Sequence, residues 1–191
     1  MLRGIFDRLQ EARQGRVLVR VERRKLEQGW MDGRVASVGP HLLALHLVDD
    51  SIVYNGFTVL RLKDITALHV PTPYAGFMEH ALKLRKQRAP RCTWLDVASV
   101  ESVVQSAARK FPLVTIYQET IDPDSCLIGV PSDIDARMMR LRLVDPNAMF
   151  GPDEAVALRN VTRVDFGGGY EDALWQVLSE RGPADRRTAY T

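Results

Sequence analysis

Cysteine is nearly absent from this chain: Cys92 and Cys126 are the two among 191 residues. Two are too few for a disulfide scaffold, and they show no metal-ligand spacing. Both are expected as free thiols in a reducing cytoplasm, with Cys126 as a buried structural residue. Long apolar runs are missing too, and nothing approaches the roughly 20 residues a membrane-crossing helix needs. The opening Met1-Leu2-Arg3-Gly4-Ile5-Phe6-Asp7 breaks its apolar residues with charge and offers no signal-peptide core. Histidines 41, 46, 69 and 80 stand singly, without the H-x-x-H or H-x-x-x-H spacing of a helical metal pair. No Ser or Cys lies in a motif that marks a nucleophile. These absences point away from an enzyme, a metal protein and a membrane protein, and no cofactor is expected.

What is present is an ordinary folded composition, with 46% hydrophobic and 26% charged residues. The net charge of +2 conceals an asymmetry: residues 1–92 have a balance of +7 and hold all four histidines, whereas residues 93–191 have a balance of −5. A split of this kind suits an acidic partner for the first half, or attraction between the halves or between copies.

The dominant signal is an internal repeat. Comparing residue n with residue n+96 from Gly33 to Leu82, nine of fifty positions are identical, among them Gly33/Gly129, Asp49/Asp145, Thr66/Thr162, Tyr74/Tyr170 and Leu82/Leu178. Each copy opens with an amphipathic helix, carrying Leu2, Ile5, Phe6 and Leu9 in the first and Val100, Val103, Val104 and Ala107 in the second. Ser99 is placed to cap the second of these. A β-rich run follows, Val17–Val21 paired with Leu113–Tyr117, and then strands over Gly33–Val38 and Leu43–Leu47. Met139-Arg140-Leu141-Arg142-Leu143 alternates as a half-buried strand does. Two further short strands lead to a closing helix, with Tyr74, Phe77, Met78, Ala81 and Leu82 on one face and Tyr170, Ala173, Leu174, Val177 and Leu178 on its counterpart. Five short strands in about 55 residues predict a curled small barrel. The expected domains are 1–92, basic; 93–182, acidic; and a flexible, dispensable tail over 183–191, which follows a Gly-Pro breaker.

Gly33-Arg34-Val35-Ala36-Ser37-Val38, with the Leu42–Leu47 strand ending at Asp49, is similar to the first sequence motif of Sm-like proteins. The resemblance covers about 60 residues of each copy and implies two tandem Sm-like five-stranded small β-barrels, each with an N-terminal and a C-terminal helix: a mainly β, α+β chain. It does not extend to RNA-binding residues. The base-holding positions correspond to Gly39 and Leu43 and to Asp135 and Met139, and the Arg-Gly pair of the second motif has no match in Leu60-Arg61-Leu62-Lys63 or Val156-Ala157-Leu158-Arg159.

The repeat also sorts candidate sites. Residues kept in both copies, such as Asp49/Asp145 and Thr66/Thr162, read as turn and cap residues. Function belongs among the asymmetric ones. Two basic clusters qualify as nucleic-acid contacts: Arg23, Arg24 and Lys25, and Lys83, Arg85, Lys86, Arg88 and Arg91. The second also reads as a solvated helix end. Gly167-Gly168-Gly169 reads as a turn, because Pro71-Thr72-Pro73 occupies its place in the first copy. On the third strand, Leu42, Ala44, His46 and Val48 form an outward apolar stripe, whereas the second copy has Met138, Arg140, Arg142 and Val144. That stripe is expected to be covered, by the chain's own helix or as a protein interface. The expected function is a non-enzymatic binding or assembly module, associating with a protein partner or with itself, with RNA or DNA binding as the alternative.

Overall fold

The computed structural model describes residues 2–89 and 91–181, and the chain divides into two compact units at Ser99/Val100. The first unit runs α1 (Leu2–Gly15), β1 (Leu18–Glu22), β2 (Met31–Val38), β3 (Leu42–Val48), β4 (Tyr54–Arg61), a 3-10 turn at Leu62–Asp64, β5 (Ala67–His69) and α2 (Ala75–Leu84). The second runs α3 (Val100–Ala108), β6 (Val114–Tyr117), β7 (Leu127–Ser132), β8 (Met138–Val144), β9 (Phe150–Ala157), a 3-10 turn at Leu158–Asn160, β10 (Arg163–Phe166) and α4 (Gly169–Glu180). The strands β3 and β8, the strands β4 and β9, and the 3-10 turns coincide at the offset of 96.

The first strand departs from that offset. Val19 lies opposite Gly33 and Val114 opposite Gly129, so β1 matches β6 at an offset of 95. Arg20 therefore corresponds to Thr115, not to Ile116. The shared residues have shared local causes. Thr66 Oγ1 donates to the Glu22 carbonyl and accepts from Arg24 N, and Thr162 Oγ1 does the same with Tyr117 and Glu119. Asp49 and Asp145 each take two backbone N–H groups of the turn that follows. A Cβ on Gly33 would lie 2.5 Å from the His46 carbonyl oxygen, and one on Gly129 2.3 Å from that of Arg142. Both glycines let β2 and β7 press against the next strand.

The expectation of two closed barrels is overturned. The fold is mainly β, but its ten antiparallel strands are open, ordered β5-β1-β2-β3-β4 in the first unit and β10-β6-β7-β8-β9 in the second, with four helices. Among the described residues no ladder joins β4 to β5 or β9 to β10. The apolar residues are buried by helices in place of closure. In the first unit Leu9 and Ala12 of α1 join Val19, Val35, Leu43, Leu45 and Leu60 in one cluster. Met78 and Leu82 of α2 join Leu18 and Val48 in another. In the second unit Leu174 and Leu178 of α4 pack with Leu113 and Val144.

The first unit extends past residue 92. Cys92, Leu95 and Val97 are buried, Trp94 meets Phe57 edge-on at 5.6 Å, and a Cβ on Gly39 would collide with the Val97 carbonyl oxygen. Of the two thiols, Cys92 is the buried one and Cys126 is exposed, the reverse of the expectation for Cys126. The tail expectation, residues 183–191, lies outside the described residues. No described helix is long and apolar enough to cross a membrane.

Candidate functional site

The stripe expected to face outward is buried: Leu42, Ala44 and Val48 are inside, and His46 is half-buried. Val48 packs with Met78 and Leu82 of α2. The His46 ring stacks on Tyr54 at 4.3 Å and on Phe57 at 4.5 Å. The corresponding Met138, Arg140 and Arg142 of the second unit are exposed.

Burial divides the basic candidates. Arg23 has no exposed surface and its Nε donates to Glu27 at 2.9 Å, so it cannot reach a phosphate backbone. Arg24 is exposed but paired with Glu22 at 2.5 Å, and Lys25 is exposed. Lys83, Arg85, Lys86, Arg88 and Arg91 are all exposed, the first of them in the last turn of α2. No group of three or more His, Cys, Asp or Glu side chains among the described residues is placed to hold a metal. Gly167, at φ 67° and against the Phe111 ring, makes the turn expected of the glycine run.

A groove of about 640 Å³ lies on the first unit, and sequence reasoning missed it. It is built from a chain of contacts starting on adjacent strands. Arg20 of β1 and Asp32 of β2 face each other in register and form a two-point ion pair, Nε–Oδ1 2.9 Å and Nη2–Oδ2 2.6 Å. This pair raises the affinity of the Arg20 guanidinium for its proton still further. The guanidinium also lies 4.4 Å from the ring centre of Trp30 and so gives the indole a platform. On the other side, the Thr72 hydroxyl donates to Asp32, and Thr72 N donates to the Leu18 carbonyl at 2.8 Å. That fixes the loop entering α2, where Tyr74 and Phe77 sit.

The result is three aromatics in water around one groove: Trp30 is 60%, Tyr74 80% and Phe77 66% exposed. Periodicity assigns Tyr74 and Phe77 to the buried face of α2, yet that face consists of Met78 and Leu82. Tyr74, the residue before the helix, has φ 62°, a left-handed conformation that costs a non-glycine residue about 1 kcal/mol or more. Asp49 and Asp50 stand on the groove wall with Asp32 against a single arginine, Arg20, so the lining is net acidic.

The signal that could have found the groove is the asymmetry between copies, applied position by position. Where the first copy has Arg20, Trp30, Asp32, Thr72 and Phe77, the second has Thr115, Cys126, Ile128, Gly168 and Ala173. The second unit keeps the fold and, of the groove's aromatics, only the counterpart of Tyr74, Tyr170; the ion pair, the indole and the Phe77 ring have no equivalent.

No family model, no curated protein and no solved structure matches this chain.

Proposed function

We propose that the chain is a non-enzymatic protein-association module, acting in a reducing, cytoplasmic setting, with the aromatic groove of the first unit as its docking surface. One observation carries this reading: Trp30, Tyr74 and Phe77 stand exposed around a single groove, held there by a network the second copy lacks. Exposed aromatics grouped on one surface are the side chains that anchor protein partners. The occupant is an apolar segment of a partner protein carrying Lys or Arg. Its apolar residues would meet the rings, and its cation would meet Asp49 and Asp50 and the exposed ring faces of the aromatic cluster.

The test is a titration of the full chain with a synthetic Leu/Arg-alternating peptide and with its Glu-for-Arg twin, followed by tryptophan fluorescence. Saturable binding of the basic peptide, at least about tenfold tighter than its twin and lost in Trp30→Ala/Phe77→Ala, is the expected result. Equal binding of both peptides, or binding untouched by the double variant, overturns the reading.

The exposed run Lys83, Arg85, Lys86, Arg88 and Arg91 supports nucleic-acid binding as a second reading. That mode requires an affinity for single-stranded or duplex oligonucleotide that falls steeply with salt.

A further inference from the structure

A second cavity on the first unit, about 250 Å³, has the opposite character. Four arginines line it from separate parts of the chain: Arg13 in α1, Arg16 just beyond it, Arg34 in β2, and Arg91 after α2. No carboxylate lines it. Arg16 Nη2 spends a hydrogen bond on the Ala89 carbonyl at 2.8 Å, a neutral acceptor that positions the guanidinium without cancelling its charge. Arg34 is oriented by the Tyr54 hydroxyl at 2.7 Å, and its Glu79 contact, at 3.3 Å, is made at an exposed carboxylate.

His46 also lines the cavity. Its Nδ1 is buried and has no hydrogen-bond partner. Leaving such an atom unsatisfied costs about 1–3 kcal/mol, and native structures rarely carry that cost without a cause. Stacking between Tyr54 and Phe57 holds the ring in place, so it cannot turn away to find a partner. Burial lowers the ring to about 4, which keeps it neutral near pH 7, so it adds no charge to that of the arginines. The second copy has Val130 in place of Arg34 and Arg142 in place of His46, so the pocket is specific to the first unit.

The geometry points to a phosphate-monoester site: a doubly charged tetrahedral group held by Arg13, Arg16, Arg34 and Arg91. Guanidinium forks match phosphate oxygens two at a time, and four of them suit a dianion better than a carboxylate. The cavity has the volume of about eight waters, which fits a phosphate group. The group can come from a small phosphorylated metabolite or from the 5′ end of a nucleic acid strand.

Melting of the full chain in inorganic phosphate, against chloride at matched ionic strength, tests the site. A saturable rise in melting temperature with phosphate alone, corresponding to a Kd of about 1 mM or tighter, is expected. Arg16→Gln/Arg91→Gln, two exposed positions, should weaken it about tenfold or more with the phosphate-free melting temperature nearly unchanged. AMP and a 5′-phosphorylated hexanucleotide separate the sources. A preference for AMP over the phosphorylated strand assigns a metabolite, and the opposite preference assigns a nucleic-acid end. An identical rise in chloride, a phosphate effect unchanged in the double variant, or equal affinity for 5′-phosphate and 5′-hydroxyl strands overturns the proposal.

Discussion

Replacing Asp32 by Ala removes the centre of the network that presents the aromatic groove, and the structure sets the cost. The carboxylate makes two charge-assisted hydrogen bonds to Arg20 and accepts a third from Thr72. Losing a charge-assisted pair typically costs about 1.5–3 kcal/mol, and an orphaned hydroxyl adds about 1 kcal/mol. Arg20 is 15% exposed at its side chain and can turn towards water, which recovers part of this, so about 2–3 kcal/mol is expected. The second unit folds with Thr115 opposite Ile128 at the same two positions. Arg20→Thr/Asp32→Ile should therefore return to within about 1 kcal/mol of the parent chain, because the ion pair is removed as a unit and only the Thr72 hydroxyl loses its acceptor. Urea unfolding followed by circular dichroism measures both. The double variant should nevertheless bind the basic peptide poorly, since Trp30 has lost its platform. An Asp32→Ala cost under about 0.5 kcal/mol, or a double variant as unstable as the single one, would refute the reasoning.

Gly33→Ala and Gly76→Ala should move stability in opposite directions: the first forces β2 off β3 for about 1–3 kcal/mol, whereas the second has open space in α2 and gains about 0.5–1 kcal/mol. Equal effects in denaturant titrations would contradict the strand packing. His46, lowered from 6.5 to about 4 by burial, takes up its proton first in the unfolded chain as pH falls below 6.5, so stability drops between about pH 6.5 and 4. The full difference is worth ~3 kcal/mol, and partial exposure of the ring reduces it to ~1–2 kcal/mol. Relative to the parent, His46→Phe should gain that amount between pH 7 and pH 4, and parallel pH profiles would refute it. Trp30→Ala/Phe77→Ala should change the unfolding free energy by under about 1 kcal/mol, because both rings are mostly in water, and a loss of several kcal/mol would place them in the core instead.

The order of elements was legible in the sequence because helix and strand periods alternate cleanly and recur at a fixed offset. Closure was not, because strand count says nothing of whether β4 meets β5, and the helices that cover the apolar residues relieve the need for it. The one-residue change of offset at β1 was hidden because Val17–Val21 and Leu113–Tyr117 are apolar in either alignment. It matters, since the fixed offset sets Arg20 against Ile116 and hides that its counterpart is Thr115. Phe77 is exposed although the apolar spacing includes it, because the covered stripe of α2 is Met78 and Leu82 and Phe77 stands about 100° round the helix from Met78. The arginine pocket joins Arg13 to Arg91 across the chain, and spacing alone gives no sign that such distant residues meet.

Docking at the aromatic groove of the first unit is tested most directly by amide and indole NMR shift mapping of the full chain with the basic peptide. The expected perturbations fall on Trp30, Ile52, Tyr74 and Phe77, with Cys126, Tyr170 and Ala173 of the second unit unmoved. Perturbations confined to 83–91, or shared equally by the two units, would contradict it.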